Sequence, residues 1–261
     1  MKPRVGLFVT CLVDLMRPSV GFAAARLIED AGCTVVVPEG QTCCGQPAMN
    51  AGDRNTARDL ALQTVRSFEG CDFIVAPSGS CAATLRIHYP KLFKGRGNAE
   101  FEVNAFSERV YELTDFLANV RGKTETDARF EGRVVHHDAC AGLRELGIES
   151  APRRLLSAVS GLELVEVADT TPCCGFGGLF SVKYPEISTA IADRRIAELG
   201  APAPDLVTAG DLGCLMHLAG RLRRTGYALP CRHIAEVLAG EFADPPIAAP
   251  PGPASRKEAA S

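Results

Sequence analysis

Two copies of a Cys-Cys-Gly triplet, Cys43-Cys44-Gly45 and Cys173-Cys174-Gly175, constrain this chain more than any other stretch. A lone cysteine precedes each triplet, Cys11 in one case and Cys140 in the other, and another follows each, Cys81 and Cys214. From Cys11 to Cys43 there are 31 intervening residues and from Cys140 to Cys173 there are 32; from Gly45 to Cys81 there are 35 and from Gly175 to Cys214 there are 38. Cys140, Cys173 and Cys214 therefore stand 129, 130 and 133 positions after Cys11, Cys43 and Cys81. So regular an offset marks an internal duplication, and the thiols are what it repeats.

A chain of 261 residues can form one large domain or two ordinary ones, and the repeat argues for two similar halves. The first is expected at 1–125 and the second at 126–243. A disordered tail is expected at 244–261, where Pro, Ala and Ser leave almost no large apolar side chain. With 46% apolar residues, each half can bury a core. A net charge of −3 and a pI near 6.0 argue against nucleic acid or an anionic membrane as partner. No run reaches the roughly 18 apolar residues of a spanning helix, and the apolar run Val5 to Val9 is too short for a secretory signal. The chain is thus expected in the cytoplasm, where thiols stay reduced. Its eleven cysteines then point to metal, cluster or redox chemistry rather than to disulfides.

Short apolar runs alternate with amphipathic stretches in both halves. In the first, strands are expected at Val5–Thr10, Thr34–Val37 and Asp72–Ala76, with helices at Ser19–Ala31, Ala57–Phe68, from Ala82 onward and at Glu108–Val120. In the second, strands are expected at Arg133–His136, Leu162–Val167, Asp205–Thr208 and Tyr227–Leu229, with helices at Pro152–Val159, Ile187–Leu199, Leu215–Arg224 and Ile234–Leu238. Lys94–Asn98 reads as a loop and Arg121–Glu131 as the linker between halves. This alternation implies an α/β fold of two similar, Rossmann-like halves with parallel sheets, because parallel neighbours need a crossover connection. Ligands of such sheets bind beyond the carboxyl ends of the strands. Every repeated cysteine falls there, so four thiols from three loops can converge in each half.

Soft thiolates suit zinc, copper(I) and iron–sulfur clusters, and four cysteines are the usual complement of a 4Fe–4S cluster. Placement just before helices favours the thiolate through the N-terminal dipole. Structural zinc sites space their cysteines two to four residues apart, whereas adjacent cysteines splay and suit the separate irons of a cluster. A zinc-bound or metal-free scaffold subunit that assembles a complex remains an alternative, and so does a dithiol oxidoreductase whose vicinal pair cycles through a strained disulfide.

The duplicated pattern of a lone Cys, a Cys-Cys-Gly and a further Cys resembles the cysteine-rich (CCG) domain family, which includes the cysteine-rich component of heterodisulfide reductase and the iron–sulfur component of glycolate oxidase. Within it, the runs His137–Gly147, Cys173–Ser188, Gly210–Met216 and His233–Leu238 closely resemble the lactate utilisation protein A family. The resemblance covers nearly everything from Val5 to Phe242. It implies an iron–sulfur redox subunit of a cytoplasmic system that oxidises L-lactate to pyruvate beside lactate utilisation proteins B and C, a ferredoxin-like cluster protein and a third subunit. It further implies metal ligands at Cys11, Cys43, Cys44, Cys81, Cys140, Cys173, Cys174 and Cys214, holding one or two clusters per chain, and an electron-relay role. The chain departs from its heterodisulfide reductase relative, whose motifs end in Cys-x-x-Cys: Ser78 and Asp211 stand where the first of those two cysteines would be. Four ligands per site remain, which fits 4Fe–4S and not the five-thiol noncubane cluster.

Cys33, Cys71 and Cys231 fall outside the repeat and read as small buried hydrophobes. His136, His137 and Asp138 precede Cys140 and suit hydrogen bonding to a cluster or proton handling, while Asp138 equally suits a helix cap. His88, His217 and His233 have no repeated setting and read as ordinary histidines. Gly175-Phe176-Gly177-Gly178 lacks the third glycine of a dinucleotide fingerprint. Arg144 with Glu145, and Arg221 with Arg223 and Arg224, read as solvated surface or a docking face for a partner subunit.

Overall fold

Short β-branched and apolar segments, each closed by a Gly, Pro or polar loop, build the strands. β1 (Arg4–Leu7), β2 (Thr34–Val36), β3 (Phe73–Ala76) and β4 (Val110–Glu112) come from the first half. β5 (Arg129–His137), β6 (Ser160–Val165), β7 (Leu206–Ala209) and β8 (Cys231–His233) come from the second. The computed structural model describes residues 2–249. It joins these strands into two four-stranded sheets of order β2-β1-β3-β4 and β6-β5-β7-β8. All neighbours are parallel, with Val5 opposite Val35 and Phe73, and Val134 opposite Leu206 and Leu164. The duplication legible in the thiols is therefore a duplication of the whole sheet.

Three apolar cores result. One lies under the helix Arg54–Ser67 in the first half and another under the helix Leu212–Thr225 in the second. The third is shared: Leu27 and Ile28 of the helix Pro18–Asp30 pack in one cluster with Val237 and Leu238 of the helix Ile234–Ala239. Burying each such side chain stabilises the join by about 1.5–3 kcal/mol.

Two expected elements differ. The helix expected over Glu108–Val120 opens as β4, because Val110 pairs with Ile74 at the sheet edge. Helix resumes only at Leu113, where the Glu112 carboxylate accepts from the N–H groups of Thr114 at 2.7 Å and Asp115 at 3.2 Å. The last strand lies at Cys231–His233 and not at Tyr227–Leu229, since Cys231 to His233 are fully buried or nearly so whereas Tyr227 is 52% exposed. β5 begins at Arg129, inside the stretch read as linker. Cys11 and Cys140 also open short helices of their own, Cys11–Met16 and Cys140–Leu146. From Asp244 the expected tail is described as far as Ala249: the Ile247 N–H donates to the Cys231 carbonyl at 2.9 Å and its side chain joins the core. Residues 250–261 lie outside the described residues. No described helix is long and apolar enough to cross a membrane.

Candidate metal centre

Each repeated cysteine stands at the carboxyl end of a strand, as the pattern requires. Cys11 opens its helix behind Thr10, whose φ of 70° turns the chain sharply and whose Oγ1 accepts from the Val13 N–H at 3.4 Å. Cys43 and Cys44 follow β2, and Cys173 and Cys174 follow β6. In both places the next glycine, Gly45 at φ 83° or Gly175 at φ 87°, adopts the left-handed backbone that other residues avoid. At Gly175 the requirement is doubled, because a Cβ there would sit 2.5 Å from the Ser188 carbonyl oxygen. Cys81 and Cys214 lie in the first turns of the helices Gly79–Ala83 and Leu212–Thr225. Ser78 caps the first of these through the Cys81 N–H at 3.2 Å, and Asp211 caps the second through the Gly213 N–H at 3.1 Å. The two positions that depart from the five-thiol pattern are thus helix caps.

The structure brings each quartet together. Cys11, Cys43, Cys44 and Cys81 form a chain of interacting thiols, and Cys140, Cys173, Cys174 and Cys214 form another. Hydrogen bonds from Cys11 and Cys44, with help from the Gly45 backbone, pull the Cys43 thiol down to about 2. Bonds from Cys140 and Cys174, with the Gly175 backbone, pull Cys173 down to about 2 as well. The same bonds, together with burial, push Cys11, Cys44, Cys140 and Cys174 upward. The hydrogen bonds within each quartet therefore favour the thiolate most at the first cysteine of the adjacent pair. Backbone donors also aim at sulfur: the Gly175 N–H reaches Cys173 Sγ at 3.3 Å and the Phe176 N–H reaches Cys174 Sγ at 3.5 Å. All eleven cysteines are free thiols. Cys33, Cys71 and Cys231 are buried apart from both quartets, with burial pushing Cys231 up to about 12.

One residue of the second site was legible only as a neighbour. A ring nitrogen of His137 and the sulfurs of Cys174 and Cys214 all lie within 4.8 Å of one another, close enough to share one ion. His137 is fully buried, and burial and the adjacent Arg195 guanidinium hold it neutral, down to about 3. The signal for it was its place three residues before Cys140; what the sequence could not supply was Arg195, which comes from 58 residues later. Asp138 is not a cap: its two oxygens take both terminal nitrogens of Arg153 at 2.9 and 2.8 Å. His217 is more than interior filling, since its Nε2 lies 3.1 Å from Ser188 Oγ, which donates to the Gly175 carbonyl at 2.8 Å and so braces the Cys-Cys-Gly loop. Arg144 donates to the Thr171 carbonyl at 2.7 Å, and Glu145 reaches His88 at 2.6 Å, so those two residues do not pair with each other.

The two sites adjoin. The Gly79 N–H donates to the Gly210 carbonyl at 3.3 Å, and a Cβ on Gly79 would meet the Gly142 backbone at 3.1 Å. The turn bearing Cys81 therefore packs directly on the turn bearing Cys140.

Comparison with known proteins agrees with this arrangement. The model of the CCG cysteine-rich domain matches twice, over residues 5–86 and 134–219. Lactate utilization protein A from Geobacillus sp. strain WCH70 is 43% identical over 235 residues, covering 90% of this chain and 98% of that protein. The protein of the same name from Anoxybacillus flavithermus is 44% identical over 234 residues with the same coverage, and lactate utilization protein A 2 of Bacillus cereus strain 03BB102 is 42% identical over 236. A hypothetical protein from Helicobacter pylori has the same fold, with a TM-score of 0.66 at 9% identity over 92% of this chain and 49% of its own. Twice-repeated CCG motifs and an end-to-end match together mean that this chain belongs to the cysteine-rich CCG domain family and, within it, to the lactate utilization protein A proteins.

Proposed function

We propose that Cys11, Cys43, Cys44 and Cys81 hold one iron–sulfur cluster, that Cys140, Cys173, Cys174 and Cys214 hold a second, and that the chain relays electrons in the oxidation of L-lactate to pyruvate. The convergence of four thiols per half, one already favoured as thiolate, carries this reading. A cluster bound there would supply one-electron transfer at each site. The chain's own part is to present the sulfurs on rigid strand ends and to aim backbone N–H groups at them. It also buries Cys44, Cys174 and Cys214 away from solvent. The relatives' name suggests a multi-protein system, so the partners are lactate utilisation proteins B and C, working in the cytoplasm. The natural domain division is 1–125 and 126–243, one cluster to each.

The donor set fits the group. Soft sulfur ligands number four per site, and the orphaned, buried His137 Nε2 and Arg195 Nη2 at the second site are suited to a negatively charged cluster beside them. The test is iron and acid-labile sulfide per chain on oxygen-free material, with absorption and Mössbauer spectra. Iron and sulfide in comparable amounts are expected, and Cys173→Ser should remove about half of each while leaving the first site loaded. A second reading has one specific observation behind it: the His137, Cys174 and Cys214 grouping within 4.8 Å would also suit a single zinc ion. Colourless protein with zinc, still colourless after reconstitution with iron and sulfide, would establish that reading instead.

A further inference from the structure

The two quartets are built alike but are not surrounded alike. Three residues before Cys11 stands Phe8, 1% exposed and packed against Phe68. Three residues before Cys140 stands His137. Its Nδ1 accepts from Arg195 Nε at 3.1 Å, so in the neutral ring the hydrogen is on Nε2. That Nε2 is buried and has no partner among the described residues, although the ring lies against Cys174 and Cys214.

Arg195 is 0% exposed and is the largest fully buried side chain among the described residues. Its Nη1 donates to the Asp169 carbonyl at 2.8 Å and to Glu198 Oε2 at 3.1 Å, but its Nη2 is buried without a partner among the described residues. Ala57 stands over Gly45 as Ser188 stands over Gly175, which makes Thr64 the counterpart of Arg195 in the first half. Thr64 turns its hydroxyl to the Leu60 carbonyl at 2.9 Å. A histidine N–H and a buried guanidinium thus occupy places that a phenyl ring and a satisfied hydroxyl occupy at the other site. Arg144 also lies near Cys140 but is exposed, where water screens it.

We propose that His137 and Arg195 are positioning residues that hold the second site at a higher reduction potential than the first. The inference rests on the reading of both quartets as cluster ligands. An unpaired N–H beside the sulfurs and a cation kept out of water both favour the more negative, reduced state, and the low dielectric of the interior strengthens each effect; the Asp211 carboxylate near Cys214 works against them, with its charge shared by the Ser78 hydroxyl and two N–H donors. An electron shared between the two sites then resides on the second. Its arrival there reduces that site by one electron and leaves the first oxidised by one, with no proton or bond exchanged.

Potentiometric titration of the anaerobic full-length protein with dithionite, followed by electron paramagnetic resonance, tests this. Two one-electron steps are expected in the wild type, the site retained in a Cys43→Ser/Cys44→Ser variant being reduced first. His137→Phe, which copies Phe8, and Arg195→Gln should each move that step to lower potential and narrow the separation, with the other step unmoved and iron content unchanged. Arg195→Lys, which keeps the charge, should keep most of the separation. The wild-type separation needs no buried substitution and so stands as a test even if a variant fails to fold. Two fully loaded sites that titrate together, or a second-site step unmoved in both variants, would overturn the inference and leave the cluster reading intact. Wild-type protein without iron or sulfide would overturn the cluster reading itself.

Discussion

Ser78 Oγ donates to Asp211 Oδ2 at 3.0 Å, joining the cap of the helix that carries Cys81 to the cap of the helix that carries Cys214. The same oxygen of Asp211 accepts from the Ser80 N–H at 3.1 Å, while Oδ1 accepts from the Gly213 N–H at 3.1 Å. Duplication has thus produced two equivalent caps, and divergence to one hydroxyl and one carboxylate lets them bond to each other across the pseudo-symmetric join. Asp211→Ala leaves two N–H groups without an acceptor and the Ser78 hydroxyl with only Ser80 Oγ at 3.2 Å, at a site that is 5% exposed, so a loss of about 2–4 kcal/mol is expected. Ser78→Ala should cost less, about 1 kcal/mol, since the carboxylate keeps its backbone donors. Urea unfolding of the two variants checks the order; equal costs would mean that Asp211 is not the shared anchor.

A second link between the halves runs through Glu236, which is 0% exposed. Its Oε1 accepts from Arg17 Nε at 2.8 Å and Ser19 Oγ at 2.9 Å, and its Oε2 accepts from the His233 N–H at 3.0 Å to complete a capping box. Arg17→Ala strands a buried carboxylate and is expected to lower stability by about 3–5 kcal/mol. Arg17→Met combined with Glu236→Met removes both charges and should cost clearly less than the single substitution. Thermal unfolding of the two proteins distinguishes them.

Acid should weaken the fold through His233. The ring is buried and held neutral, with its ordinary value of 6.5 pushed down to about 4, first by burial and then against the pull of Glu236 and Asp211, with Arg17 opposing protonation. Its Nδ1 accepts from the Ala235 N–H at 3.1 Å, and its Nε2 faces the Pro77 carbonyl at 3.1 Å. The unfolded chain binds a proton near pH 6.5 and the folded one does not, so stability falls as pH drops from about 6.5 to 4, by roughly 3 kcal/mol at most. His233→Asn can still cap the helix and should flatten that part of the pH profile of the unfolding midpoint. An unchanged slope in the variant would exclude His233 as its source.

The paired glycines should respond differently to alanine. Both have left-handed backbones, which cost an L-residue about 1–2 kcal/mol. At Gly175 the new Cβ would clash with the Ser188 carbonyl oxygen at 2.5 Å, whereas at Gly45 it would lie 3.5 Å from the Ala57 carbonyl oxygen, an ordinary contact. Gly175→Ala is therefore expected to lose more stability than Gly45→Ala and to displace Cys173 and Cys174, lowering metal content at the second site alone. Iron and zinc analysis beside calorimetry reads both effects.

The gathering of the cysteines was legible because their spacing relative to the strands records it directly. Cys11, Cys81, Cys140 and Cys214 each follow a strand at the place where a parallel sheet puts its ligands, so the alternation of strands and helices was enough to gather them. Strand β4 was not legible: Val110 to Glu112 is three residues long and borders a helical pattern, and only the edge of β3 makes it a strand. The role of Asp138 escaped for the same kind of reason, since a carboxylate just before a helix also fits a cap until Arg153 is seen against it.

By itself the sequence determined the duplication, the α/β class and the placing of eight cysteines at strand ends, because each depends on residue type and on spacing along one unit. Only the tertiary structure decided that Ser78 meets Asp211, that Arg17 meets Glu236, and that His137 with Arg195 makes the second quartet unlike the first. Those relationships join residues from separate elements, some from opposite halves. A linear pattern carries the preference of each residue for burial or charge but not the identity of the partner that packing brings to it.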